Sequence, residues 1–339
     1  MKIYIPKYNL FNWKGGKKWL KNELENILKK NINKINKTEY YIEPFLGGLG
    51  SFKIFLPYIK NKKILVNDIN FSLINFYQIL KNYPNELIEN FKNIELNFQK
   101  TYINKKVYAY KNINRNKVYG KFYITELHKT KDKEELKILL KNTEQYFNTI
   151  RNKFNELKQK EKLLLKEKID LATYFLFLML HSFNGNYREN SKGLFNNPFN
   201  WEPKVLNIDN KIQQLKEYNK LFNQINIQFF NLDVFEFLKI VKPSKSFIYI
   251  DPPYINEKNT KSTHKYNKIN FDINKQYQLI NELNNFYFYI YSNHYNENLI
   301  MYIKNNLENY YYNEVFRKNL ITSKIEDRKL LKKEILIYK

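Results

Sequence analysis

Residues 247–256 read FIYIDPPYIN: an apolar run that ends on a carboxylate, two prolines and an aromatic ring. Adjacent prolines fix φ and remove two N–H donors. Asp251, Pro252 and Pro253 therefore present a rigid array of oxygen acceptors, with the flat face of Tyr254 beside them. An array of acceptors suits a donor, and an exocyclic amino group brings two hydrogens. Such a group is a weak nucleophile, because its lone pair is delocalised into the ring. Holding its hydrogens on the Asp251 carboxylate and the Pro252 carbonyl favours a pyramidal nitrogen aimed at an electrophile. Tyr254 can stack on the base, which has to leave a duplex to arrive there. Taken alone, the same stretch also reads as a strand end closed by a proline turn.

The chain has eight glycines in 339 residues, and Gly15, Gly16, Gly47, Gly48 and Gly50 fall in two short clusters. In YYIEPFLGGLGSFKIFL an apolar run ends on Glu43, a glycine turn follows Phe45, and a helical pattern starts at Ser51. Glycines at such a turn adopt positive φ and let backbone approach a ligand closely, as in a nucleotide-type cofactor loop; plain strand-to-helix connections use the same residues. Asp68, in ILVNDIN, ends the next apolar run and can accept both hydroxyls of a ribose, or else cap the helix that follows. The other cluster, FNWKGGKKWL at 11–20, joins Trp13 and Lys17 to a helical segment. A helix start with a lysine suits a carboxylate, and a surface loop with Trp13 packed inward is the alternative.

These residues need strands to place them. Runs rich in Ile, Val, Tyr and Phe at 39–45, 62–68, 225–233, 246–254 and 286–294 predict buried strands, with a closing pair near 310–316 and 333–338. Near-continuous apolar strands separated by helix-length polar segments predict an α/β fold with a mostly parallel sheet covered on both faces. From residue 77 to about residue 151 the chain is dense in Lys, Asn, Glu and Leu at helical spacing, which predicts a helical insertion whose charge runs are solvated helix faces.

Composition narrows the partners. Lys plus Arg number 58 against 33 Asp plus Glu, a formal net charge of +25, and that surplus attracts a polyanion through counterion release. A genome rich in A and T also enriches Lys, Asn, Ile, Tyr and Phe. The absence of cysteine excludes disulfides, thiolate zinc sites and sulfur nucleophiles. The start MKIYIPKYNL lacks the apolar core of a signal peptide, and the longest apolar run, LATYFLFLML at 171–180, is too short to span a bilayer; the expectation is a soluble intracellular protein.

In this order, WKGGK, EPFLGGLGS, NDIN, FNGNYRENSKGLFNNP at 183–198, LDVF at 232–235, DPPY and YSNH at 291–294 resemble the motifs of the Dam-type, D12 family of adenine-specific DNA methyltransferases, over nearly the whole chain. The resemblance implies methyl transfer from S-adenosylmethionine to adenine N6 in double-stranded DNA, with no metal. It implies that Trp13 and Lys17 help hold the cofactor, that Glu43, Phe45, Gly47, Gly48 and Gly50 form its loop, that Asp68 binds its ribose and that Asp233 pairs with its adenine. Asp251, Pro252, Pro253 and Tyr254 would be catalytic. Asn184, Gly185, Arg188 and Asn190 fall in the segment that contacts DNA, where Arg188 reads guanine or grips phosphate.

Three departures bear on specificity. The glycine loop has one residue more than the family's F-x-G-x-G spacing, which leaves open which glycine meets the cofactor. Asn12 and Asn186 stand where GATC-reading relatives carry Lys and Leu, so a target other than GATC is compatible with the sequence. Methylation of cytosine N4 uses the same amino-group chemistry and is the nearest alternative, followed by a DNA-binding relative without catalysis. Methylation of cytosine C5 is excluded by the missing cysteine. The expected layout is a seven-stranded, Rossmann-like methyltransferase sheet from 1–80 and 200–339 with a helical target-recognition insertion at 81–199. The expected setting is the cytoplasm of a prokaryotic or phage-infected cell, alongside a separately acting restriction endonuclease and away from membranes.

Overall fold

The computed structural model describes residues 3–103, 133–201, 206–254, 271–318 and 331–339; the stretch 104–132 of the expected insertion lies outside them. The chain divides into two compact units, one with the described residues of 17–69, 225–254, 271–318 and 331–339, the other with those of 3–16 and 70–224.

The first unit is a seven-stranded sheet of β1 (Tyr40–Glu43), β2 (Lys63–Asn67), β3 (Ile227–Phe230), β4 (Ser246–Ile250), β5 (Phe288–His294), β6 (Tyr311–Lys318) and β7 (Leu331–Tyr338), in the order β3-β2-β1-β4-β5-β7-β6. Strands β1 to β5 run parallel, and β7 is antiparallel to both β5 and β6. Every run expected to be a strand is one. Because β1 pairs with both β2 and β4, the chain winds one way from β1 and the other way from β4, and that reversal opens a crevice at the carboxyl ends of these two strands.

Helices are numbered along the chain. In the sheet unit they are α1 (Lys21–Lys30), α2 (Ile32–Asn36), α3 (Phe52–Ile59), α9 (Val234–Lys239), α10 (Ile273–Leu283) and α11 (Glu297–Asn306). Tyr41, Phe247 and Tyr249 turn to Phe55 of α3. The alternate positions Ile42, Ile248 and Ile250 join Phe237 of α9, Leu279 and Leu283 of α10 and Ile303 of α11. Successive strand residues face opposite sides, so a strand covered on both is apolar along most of its length; SFIYI is buried throughout, with Ser246 at its start donating to the Lys242 carbonyl.

The second unit is helical: α4 (Phe71–Asn82), α5 (Pro84–Ile103), α6 (Lys133–Lys158), α7 (Leu165–His181) and α8 (Ile208–Gln224). The apolar run at 171–180 lies in α7, which packs against α4, α5 and α6 and is buried almost all round. A helix apolar on every side needs such neighbours. Among the described residues no helix is long and apolar enough to cross a membrane. The N-terminal segment is tied down by Phe11, edge-on to Phe76 and Phe175, and by Tyr218 and Lys211, which donate to the carbonyls of Tyr8 and Leu10.

A buried polar cluster sits in the helical core. Glu95 of α5 has no exposed surface; its Oε2 lies 2.7 Å from His181 Nε2 of α7, and its Oε1 accepts from Gln99 at 2.9 Å. Removing the carboxylate leaves His181 Nε2 without this partner and Gln99 Nε2 with the Leu206 carbonyl alone. Glu95→Ala should lower the unfolding free energy by about 2–3 kcal/mol in urea titration. A loss below about 0.5 kcal/mol would show that the pair contributes nothing to the bundle.

Candidate active site at the carboxyl ends of the strands

Asp251 directly follows β4. Lys17 Nζ lies 3.0 Å from its Oδ1, and Ser292 Oγ of β5 donates to the same oxygen at 3.1 Å. Ser292 is held in turn by the Tyr249 hydroxyl at 2.9 Å. Lys17 is buried; its Nζ also lies 3.2 Å from Glu334 Oε2 of β7 and donates to the Tyr254 hydroxyl. Burial works against the Lys17 charge, but Asp251, Tyr254 and Glu334 outweigh it and hold its pKa above the ordinary lysine value. Burial pushes Asp251 upward, with the Lys17 charge opposing.

The two prolines are used differently. The Pro253 carbonyl accepts from Gln276 Nε2 of α10 at 2.8 Å, and Gln276 Oε1 accepts from Tyr291 at 2.8 Å and Asn293 at 3.1 Å. This buried network anchors the turn from behind, so of the two proline carbonyls Pro253 has a structural duty. The Tyr254 ring lies 3.8 Å from the His294 ring, centroid to centroid, and its hydroxyl donates to Glu334 at 3.4 Å. Burial, then Asp251, raises the Tyr254 pKa.

The glycine loop follows β1 as expected. Gly47 takes φ +52° and its N–H donates to Asp68 Oδ2 at 2.9 Å, which fastens the loop to the end of β2. The second positive φ of the loop falls on Leu49 at +63°, while Gly48 and Gly50 do not adopt one. Leucine there costs energy, which its burial at 1% exposure offsets. Phe45 packs edge-on against Phe271. The cap of α4 is Asn70, whose side chain accepts from Leu73 N–H; Asp68 is therefore not spent on capping. Asp233 does cap, accepting from Phe235 N–H at the start of α9. Glu43 is fully buried and accepts from Tyr41 at 2.7 Å and Ser51 at 2.5 Å; burial overrides both bonds and pushes its pKa up to about 8, with Asp251 adding to the rise.

In the helical unit, residues 182–199 fold back on themselves through bridges Ser182–Phe199 and Glu189–Phe195. Asn184 and Gly185 take φ +56° and +59° at the start of this excursion, and a Cβ on Gly185 would lie 3.2 Å from the Asn12 Cβ. Asn190 Oδ1 accepts from the N–H groups of Lys192 and Leu194, so this residue shapes the turn. Arg188 donates to Asn196 through Nε at 2.9 Å and Nη2 at 3.0 Å, which orients its guanidinium. Asn155 and Lys158 of α6 brace the excursion at Phe195, Tyr187, Glu189 and Gly193. Trp13 stacks on Tyr187 at 6.0 Å, packed inward rather than loose on the surface.

Thus Lys17, Asp251, Pro253 and Tyr254 form one cluster and Gly47 with Asp68 another in the sheet unit, whereas Trp13, Asn184, Gly185, Arg188 and Asn190 belong to the helical unit. Sequence reasoning missed Gln276, Ser292 and Glu334. The quoted YSNH contains Ser292, but nothing local marks Gln276 or Glu334, since each matters through a residue far along the chain.

The family model for D12 class N6 adenine-specific DNA methyltransferases matches residues 13–329. The type II methyltransferase M.MjaIII of Methanocaldococcus jannaschii is 28% identical over 269 residues, which cover 79% of this chain and 76% of the relative. The type II methyltransferase M1.LlaDCHI of Lactococcus lactis subsp. cremoris is 25% identical over 271 residues, covering 79% and 72%.

Glu43 supplies a test by pH. Its folded pKa lies above the unfolded value, so its contribution to stability is full below the ordinary carboxylate range and is lost as pH rises toward about 8. The unfolding free energy of the wild type minus that of Glu43→Gln should therefore fall between about pH 5 and pH 8 and then level off. A difference that grows with pH would mean that Glu43 is held ionised.

Proposed function

The chain belongs to the D12 class of N6 adenine-specific DNA methyltransferases, and from that premise we propose that S-adenosylmethionine is its methyl donor and that Asp251 is the acceptor on which the chemistry turns. The observation that carries this reading is the placing of a glycine loop and an Asp-Pro-Pro-Tyr turn at the carboxyl ends of the adjacent strands β1 and β4.

The residues of the sheet unit suit such a cofactor. Gly47 bends the loop without a side chain, Asp68 beside it can accept ribose hydroxyls, and Asp233 at the head of α9 can accept from an adenine amino group. Glu43, Phe45, Gly48 and Gly50 belong to the same stretch, which ends β1 and leads into α3. When bound, the cofactor supplies an electrophilic methyl group. The chain does the rest: Asp251 and the Pro252 carbonyl accept hydrogen bonds from the two N–H groups of the target amino group, which gives up one of these protons once the methyl is on nitrogen, and Tyr254 offers a face to the base. The Asp251 carboxylate also faces the positive charge that grows on nitrogen, an interaction stronger in the transition state than before it.

The target atom is out of reach inside a duplex, so the adenine is flipped out. Recognition falls to the insertion at 81–199. There the braced Arg188 reads a base edge, Asn184, Gly185 and Asn190 shape the segment that meets DNA, and the lysine surplus neutralises phosphates. Both relatives are type II methyltransferases of prokaryotes. This supports a cytoplasmic enzyme of a prokaryotic or phage-infected cell, with a separate endonuclease that cuts the unmodified motif.

Expression in a host without DNA methylation, followed by single-molecule sequencing, should show N6-methyladenine at one short motif. N4-methylcytosine, or no modification from folded protein, would overturn the reading. Asp251→Ala should retain DNA retardation while losing about a thousandfold or more in methyl transfer, and near-normal transfer would remove Asp251 from the mechanism. Arg188→Ala should spread methylation onto motifs differing at one position while cofactor affinity stays put; an unchanged motif would show that Arg188 holds phosphate.

A further inference from the structure

Glu334 lies within β7, opposite His294 of β5 in the register, and has no exposed surface. A carboxylate buried in a sheet is costly unless a cation and hydrogen bonds meet it. Its partners are the residues of the Asp251 cluster: Lys17 Nζ at 3.2 Å and the Tyr254 hydroxyl at 3.4 Å on Oε2, with His294 Nδ1 at 3.8 Å from Oε1. The single ammonium of Lys17 is therefore shared by two carboxylates, since Asp251 Oδ1 lies 3.0 Å away on its other side. An acceptor turn for an amino group does not by itself require a second buried carboxylate.

The sharing answers a conflict within the site. An Asp251 committed to an ammonium is a poor acceptor for a neutral amino group and faces a developing cation with its charge already neutralised. Yet Lys17 is buried and cannot simply be left without an anion. We propose that Glu334 is a positioning residue for methyl transfer: it takes the Lys17 ammonium when the target amino group arrives, and so frees the Asp251 carboxylate to accept from that group. The inference rests on the reading of Asp251 as the acceptor.

Glu334→Gln keeps the shape and removes the charge, leaving Lys17 with Asp251 alone. With tritiated S-adenosylmethionine and unmethylated genomic DNA, kcat should fall about tenfold or more while KM for DNA and the affinity for the cofactor stay within about twofold. The unfolding midpoint should not drop, because one of two carboxylates competing for a single ammonium has gone. Glu334→Asp keeps a carboxylate and should recover part of the rate. An unchanged kcat, a fall in kcat accompanied by weaker binding or a lower midpoint, failure of Glu334→Gln to fold, or a Glu334→Asp no faster than Glu334→Gln would each overturn the proposal. Asp251→Ala, assayed alongside, separates the two levels. If it still transfers methyl, the acceptor assignment falls and this inference with it; if it is inactive while Glu334→Gln is normal, only the role of Glu334 falls.

Discussion

A buried ammonium is the constraint around which the sheet unit is organised. Lys17 comes from the segment before α1, Asp251 from the end of β4 and Glu334 from the middle of β7, so one charge joins three parts of the chain that are remote in sequence. Removing it would leave two carboxylates facing each other out of water, a far larger penalty than any single hydrogen bond in the region could offset. The parallel sheet supplies the place, because its winding reverses between β1 and β4. Lys17 and its partners then determine which groups at that place are charged.

Around this cluster the acceptor turn is held by groups that take no part in the amino-group chemistry proposed for it. Gln276 ties the Pro253 carbonyl to Tyr291 and Asn293, and the Tyr249 hydroxyl orients Ser292 against Asp251. Where β4 and β5 meet the turn, their buried polar atoms are thus used to support it. Rigid support of this kind matters because an amino nitrogen becomes nucleophilic only while its hydrogens are held in fixed directions. A turn free to rock would lose that geometry without losing any contact.

How much of this was readable beforehand follows from the range of each signal. The central strands β1, β4 and β5 announce themselves as apolar runs, since burial on both faces leaves no alternation to misread. Asp251 and the glycine loop are local patterns whose chemistry lies in adjacent residues. Asp68 was ambiguous between ligand and cap, and Asn70 two residues on resolves it by capping α4 itself. Lys17 was visible as a functional residue, but its partner was not, because an ion pair across 234 positions leaves no trace in spacing. Glu334 was invisible for the same reason: in KKEILIY it looks like one more charge on an edge. Leu49 is the opposite case, a residue type that predicts ordinary backbone and instead takes the left-handed region among three glycines.

The helical unit shows a similar division between what is plentiful and what is fixed. Lysines supply most of the net charge, and as mobile point charges they attract a polyanion whatever its sequence. The base readout proposed for Arg188 demands a donor set already pointed in one direction, and the excursion at 182–199 orients that side chain. Asn196 grips Arg188 twice, Asn190 closes the turn, and α6 braces the whole through Asn155 and Lys158. A guanidinium oriented in this way gives up less side-chain freedom on meeting a base edge, so more of its hydrogen-bond energy is left to separate the right base from the wrong one. On that proposal affinity is spread over many lysines, while specificity is concentrated in a short segment fastened by hydrogen bonds to α6.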